Sequence, residues 1–153
     1  MNPEVDESKP KTAETPEAAK QARRDEPAKR FSALAPVIAY AGLIFFLSAQ
    51  SSFPMLPTGL LSYDKVIHCC EYSVLGFVIC RALELHGVKH APVIALALGA
   101  LYGVSDEFHQ YFVPGRSSDW RDALADTVGS TLGAFAWPPA SRAFHRFFSP
   151  RVN

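Results

Sequence analysis

The stretch YGVSDEFHQYFVPGRSSDWRDALADTVGSTLGAF, residues 102–135, sets Asp106, Glu107, His109, Arg116, Asp119, Arg121, Asp122 and Asp126 between two apolar segments of membrane-spanning character. Ionisable side chains in hydrocarbon are costly and almost always face the protein interior or a water-filled cavity. Pro114-Gly115 divides the stretch at a turn, so it reads as the end of one helix, a connection and the start of the next.

Working outward, three other apolar segments complete the pattern. Ala33–Ala49 (ALAPVIAYAGLIFFLSA) has 17 residues, close to the roughly 20 that a spanning helix needs. Arg23, Arg24, Lys29 and Arg30 just before it favour an anchor over a buried soluble helix. A cleaved signal peptide would need an unusually long basic n-region. The second segment runs from about Val66 to Leu83, the third from about Ala91 to Phe112 and the fourth from about Arg121 to Trp137. Pro92 opens the third, while Pro114-Gly115 and Pro138-Pro139 close the third and fourth. Strand alternation is absent. The expected fold is all-α: an integral membrane bundle of four transmembrane helices over residues 31–141. A disordered, charged cytoplasmic tail (1–30) would precede it, and a short basic cytoplasmic tail (142–153) would follow.

Composition agrees with this division. Basic and acidic residues balance at 15 each, which gives no support to a nucleic-acid surface. Residues 1–30 carry 14 of the charges and, beyond Ala, one aliphatic side chain, Val5; such a segment buries too little apolar surface to offset its ordering entropy. Residues 31–63 carry no charge. Cys69, Cys70 and Cys80 are odd in number and lack metal-site spacing, which points to small buried thiols.

Lys and Arg set the expected orientation. With both ends inside, the cytoplasmic side collects Lys20, Arg23, Arg24, Lys29, Arg30, Arg81, Lys89, Arg142, Arg146 and Arg151, against Lys65, Arg116 and Arg121 outside. This fixes depths. At 1.5 Å per residue, His68 and Glu71 lie about 6–10 Å from the outer end of their helix, and Asp106 to Gln110 lie about 22–28 Å from the inner end of theirs. Asp122 and Asp126 fall in the first two turns of the fourth segment. All these groups come to one level, in the outer part of the bilayer.

Helical spacing adds direction. Asp64, His68 and Tyr72 follow i, i+4, i+8 with Glu71 beside them; Gly99, Gly103, Asp106 or Glu107, and Gln110 share a stripe; Asp122, Asp126, Gly129 and Gly133 share another. Gly99-x-x-x-Gly103 and Gly129-x-x-x-Gly133 are spacings that let membrane helices approach closely. The stripes are expected to converge on an outward-opening polar pocket lined by Asp64, His68, Glu71, Tyr72, Asp106, Glu107, Gln110, Arg116, Asp122 and Asp126. Several carboxylates at one depth repel unless protonated, paired, hydrated or bound to a cation.

The chemistry of these residues leaves several uses open. Arg116 suits a phosphate or carboxylate, or neutralises Asp119 or Glu107. His68-x-x-Glu71 and its neighbours suit a divalent metal, or an acid and base acting on a lipid-linked substrate. A proton path would need polar groups toward the cytoplasm, and the third segment has only apolar and small residues there. A purely structural lock between helices is the remaining alternative. The residues name no cofactor. The expected partners are the lipid bilayer and an anionic or amide-rich envelope ligand, and no nucleic acid.

DKVIHCCEYSVLGF (64–77) and GVSDEFHQYFVPGRSSDWRDALADTVGSTLG (103–133) together resemble the VanZ-like family of small bacterial membrane proteins, over about residues 31–137. The second motif is specific, because its Asp-Glu, Gln, Pro-Gly-Arg and Asp-x-x-x-Asp elements occur in fixed order. The resemblance implies a multi-helix protein of the bacterial cytoplasmic (inner) membrane, from a family named after a member associated with low-level teicoplanin resistance. It implies no biochemical mechanism. The ten polar residues above occupy the family's recurrent polar positions, although some relatives carry Asn where this chain has Asp126.

Overall fold

A computed structural model describes residues 15–51 and 64–148, which form four helices: α1 (Pro16–Ser48), α2 (Asp64–Leu85), α3 (Ala91–Gln110) and α4 (Trp120–Phe148). Each reverses direction relative to the last. The end of α1, the start of α2, the end of α3 and the start of α4 therefore meet at one end of the bundle. The all-α expectation holds. Three helices are long and apolar enough to cross a membrane, at Phe31–Ser48, Lys65–Leu85 and Ala91–Gln110. The helix α4 does not meet that measure, because Asp122, Asp126, Thr127, Ser130 and Thr131 dilute its apolar residues.

Two boundaries differ from expectation. The tail expected to be disordered over residues 1–30 is helical from Pro16 onward, and its first 14 residues lie outside those described. Its Ala, Glu, Lys, Gln and Arg are good helix formers, and the apolar segment behind it has already met the cost of helix nucleation. Pro16 sits where its missing N–H costs nothing. The fourth helix also runs through Pro138 and Pro139 to Phe148 instead of stopping at Trp137. The pair forfeits two backbone donors, but proline's fixed φ is itself helical. Beyond the pair, Ser141 Oγ donates to the Pro138 carbonyl at 3.0 Å.

The helices α2 and α4 share the largest interface, followed by α3 with α4, while α1 packs chiefly on α2. Small residues explain the first. A Cβ at Gly129 would overlap the Cys69 carbonyl oxygen, one at Gly133 the Ser73 carbonyl oxygen, and one at Gly76 the Ser130 carbonyl oxygen. The two backbones therefore touch directly, as the Gly-x-x-x-Gly spacing anticipated. The role of Gly76 was not anticipated. Ile44, Tyr72, Leu75, Ile79, Cys80, Ala91, Ala95 and Ala134 form the apolar core. Cys69, Cys70 and Cys80 are all free thiols, and Cys80 alone is fully buried.

The outer surface is apolar on every helix. Ile38, Phe45 and Phe46 on α1, Val66 and Val74 on α2, Leu98, Leu101, Val104 and Phe108 on α3, and Leu124, Val128, Leu132 and Phe135 on α4 are exposed. In water such a surface would aggregate; in a bilayer it faces lipid. The chain is a multi-pass membrane protein.

Candidate functional site

Eight of the ten anticipated residues are buried at one end of the bundle or reach into it, and α1 joins them. Asp106 on α3 is the first hub. Its Oδ2 accepts from Ser48 Oγ at 2.7 Å and from Gln110 Nε2 at 3.0 Å. Ser48 closes the last turn of α1, so this bond ties the first helix to the third. Gln110 Oε1 in turn accepts from Arg116 Nε at 3.2 Å and Nη2 at 2.9 Å.

The turn that delivers Arg116 follows from its residues. The Arg116 N–H donates to the Val113 carbonyl at 3.1 Å, and Gly115 has φ 84°. Pro followed by a positive-φ Gly is the signature of a type II turn. Arg116 is half-buried and holds Gln110, not Asp119 or Glu107 as its neutralising role had suggested.

The second hub joins α2, α3 and α4. His68 Nδ1 lies 2.9 Å from Asp126 Oδ1, both side chains being buried. An ionised carboxylate only accepts, so Nδ1 is then the donor. Glu107 completes the group: ligand atoms of His68, Glu107 and Asp126 all lie within 4.8 Å of one another. Glu107 is fixed by its other oxygen, since Oε2 accepts the Asp119 backbone N–H at 2.8 Å. Gly103 makes room for Asp126, because a Cβ there would stand 2.8 Å from Asp126 Cβ and 2.9 Å from Oδ2.

Toward the end of the bundle, Lys65 Nζ donates to Asp122 Oδ1 at 2.8 Å and to Asp119 Oδ2 at 3.4 Å. These two acids are thereby accounted for. Asp119 lies in the loop, and its carboxyl is held below the usual range first by the Arg121 backbone N–H and then by Lys65.

Other members fall differently. Glu71 is only half-buried and has no hydrogen-bond partner among the described residues; the anticipated local pairing of His68 with Glu71 gives way to Asp126 across the helix interface. Tyr72 is fully buried, with its ring centroid 6.3 Å from that of Tyr102. The side chain of Asp64 lies outside the described residues. His109 stacks on Phe45 at 4.4 Å, on the α1 side.

Among the described residues, four oxygens at this end are buried without a hydrogen-bond partner: Tyr72 OH, Asp106 Oδ1, Glu107 Oε1 and Asp126 Oδ2. Buried polar atoms are rarely left so. By contrast, two cavities elsewhere are apolar and touch none of the ten residues. One of about 310 Å³ lies among Leu34, Val37, Leu75, Ile79 and Leu98, and a second of similar size is lined by Val74, Phe77, Leu132 and Gly133.

Sequence reasoning missed Ser48, Lys65 and Ser130, whose Oγ donates to the Tyr72 carbonyl at 3.5 Å. Ser48 is the one aliphatic hydroxyl in the first apolar run, a usable signal; Ser130 is simply a small residue on the buried stripe of α4.

No curated protein and no solved structure matches the chain significantly. The profile of the family described as VanZ/LLP1 matches residues 13–143, most of the chain and both polar motifs. The chain belongs to the VanZ/LLP1 family.

Proposed function

We propose that this protein spans the bacterial cytoplasmic membrane four times, with both termini inside, and that its polar cluster faces outward and binds an envelope-related ligand. The fourth crossing is supported by the two faces of α4. Leu124, Val128, Leu132 and Phe135 are exposed along one side, and Asp122, Asp126, Gly129, Ser130 and Gly133 are buried along the other. Polar residues lower its mean hydropathy without touching lipid. Trp120 and Trp137 stand 17 residues apart, about 26 Å along a helix, a spacing suited to the two aromatic belts.

The ligand reading is carried by one observation: carboxylate oxygens of Asp106, Glu107 and Asp126 are buried without donors, close to an Arg that keeps spare ones. Arg116 uses two of the guanidinium's five N–H groups on Gln110. A ligand with amide or hydroxyl donors and an anionic end would satisfy both needs at once. The amide donors would meet the carboxylates while Arg116 holds the anion. A short peptide with a free C-terminal carboxylate has this chemistry.

The test is titration of such a peptide, and of its C-terminally amidated form, into detergent-solubilised protein. A hydrogen-bonded charge contributes about 1.5–3 kcal/mol, so Arg116→Gln should bind the free acid roughly 10- to 100-fold less well with unchanged unfolding. A folded Arg116→Gln protein that binds normally would remove Arg116 from the site.

A second reading is an acid/base enzyme acting on a lipid-linked substrate. The observation that favours it is the imidazole of His68 oriented by Asp126, the arrangement a general base requires. Turnover of a lipid-linked phosphate that survives His68→Gln would rule it out.

A further inference from the structure

We infer that His68, Glu107 and Asp126 form a binding site for a first-row divalent cation, of the Zn²⁺ or Mn²⁺ class. The inference rests on the cluster's own geometry; with a cation held by Glu107 and Asp126, the proposed ligand would keep Asp106 and Arg116 as its protein contacts. One imidazole and two carboxylates, drawn from three helices, bring ligand atoms within 4.8 Å of one another, and all three side chains are buried. Donors bound at about 2.0–2.2 Å to one ion stand about 3–4.4 Å apart. A movement of about half an ångström would therefore complete the set.

A second observation points to a ligand. Glu107 Oε1 and Asp126 Oδ2 are buried with no partner, on residues 5% and 0% exposed. Their other oxygens are engaged: Oε2 of Glu107 by the Asp119 N–H and Oδ1 of Asp126 by His68. Glu107 is thus anchored through Oε2 from outside the set while Oε1 remains available, as expected where an outer hydrogen bond orients a metal ligand; the His68–Asp126 contact joins two members of the set, and a cation held through Nδ1 would replace the proton they share. Gly103 allows Asp126 Oδ2 to lie against α3 one turn from Glu107.

Charge balance leads the same way. Lys65 is committed to Asp119 and Asp122, and Arg116 bonds Gln110 and neither of the two carboxylates. Two buried carboxylates then face one imidazole, an arrangement that repels itself without protons or a cation. Imidazole among the donors favours Zn²⁺ over Ca²⁺ or Mg²⁺, while the two carboxylates suit Mn²⁺. Three protein ligands would leave at least one position open, through which an anionic group could bind despite the surrounding acids.

The experiment is metal loading of the full chain in mild detergent. The protein is stripped with chelator, equilibrated with Zn²⁺, Mn²⁺ or Co²⁺, desalted and analysed for bound metal, with the Co²⁺ form read by visible absorption. The expected result is near-stoichiometric metal and an intense, low-coordination Co²⁺ spectrum. Affinity should fall at least about tenfold in Glu107→Gln and in Asp126→Asn. It should be unchanged in Glu84→Gln, which alters an exposed acid bonded to Trp137 at the other end of the bundle. Equal metal in Glu107→Gln and the unmodified chain would overturn the assignment, as would a Co²⁺ spectrum of the hydrated ion. That last reading uses the unmodified protein, so it decides the matter even if the variants do not fold.

Discussion

The contact between α2 and α4 makes a sharp prediction for Gly133→Ala. The new Cβ would overlap the Ser73 carbonyl oxygen and stand 2.7 Å from Ser73 C and 2.9 Å from Phe77 N. Carbon atoms normally pack at about 3.5–4.0 Å, so the carbon contact alone would require the two helices to separate by at least about 0.8 Å. The atoms in the way are backbone and cannot rotate aside. Overpacking of this kind costs about 1–3 kcal/mol, while replacing a helical Gly by Ala returns at most about 1 kcal/mol. The expected net effect is a loss of up to about 2 kcal/mol. Gly42→Ala is the control, because a Cβ there meets nothing within 4 Å and only the propensity gain applies. The propensity gain is common to both, so the two variants should differ by about 1–3 kcal/mol when unfolded by SDS titration in mixed micelles and followed by far-ultraviolet circular dichroism. If Gly133→Ala proves as stable as Gly42→Ala, direct backbone contact does not hold this interface together.

Topology and pH offer two further tests. In a variant with the three native thiols replaced, single cysteines at Ser117, Lys89 and Arg146 should divide by side. Only Ser117→Cys should react with an impermeant maleimide in intact spheroplasts; labelling at Arg146→Cys would remove the fourth crossing. Asp119→Asn should lower the thermal midpoint at pH 7 and cost progressively less as pH falls. The carboxyl is depressed in the folded state, so its contribution is present above the unfolded value of about 3.9 and disappears as pH falls through the folded value. A gap between the two proteins that stays constant or widens toward pH 3 would contradict this.

Depth and helical phase made much of the site legible. Counting rises along antiparallel helices was enough to bring His68, Glu107 and Asp126 together, because periodicity and a common membrane frame constrain charged residues twice. Phase alone does not choose among partners. His68 has Glu71 beside it on the same helix, yet it pairs with Asp126, because the buried face of α2 is the one pressed on the glycine stripe of α4. The Ser48–Asp106 bond joins residues 58 apart through a connection that no local pattern specifies. Arg116 was legible as a cation after a turn, but its grip on Gln110 depends on where that type II turn aims the chain. The helical extension back to Pro16 was obscured because composition there reports the lack of a core, not the lack of a helix.

The divided surface of α4 bears on how the protein is made. A charged residue costs about 2.5–3.5 kcal/mol during insertion at the middle of an isolated helix and less toward its ends, and α4 carries Asp126 in its second turn, on the face that only α2 and α3 shield. On the four-span reading, this helix would partition poorly until α2 and α3 are already in the bilayer, with Gly129 and Gly133 finding the α2 backbone as it enters. Biogenesis would then follow chain order, with α4 joining last and assembly of the polar cluster helping to drive its insertion. Lesions in α2 would appear as failed integration of α4, and the protein would be cleared before any defect in its site could be observed.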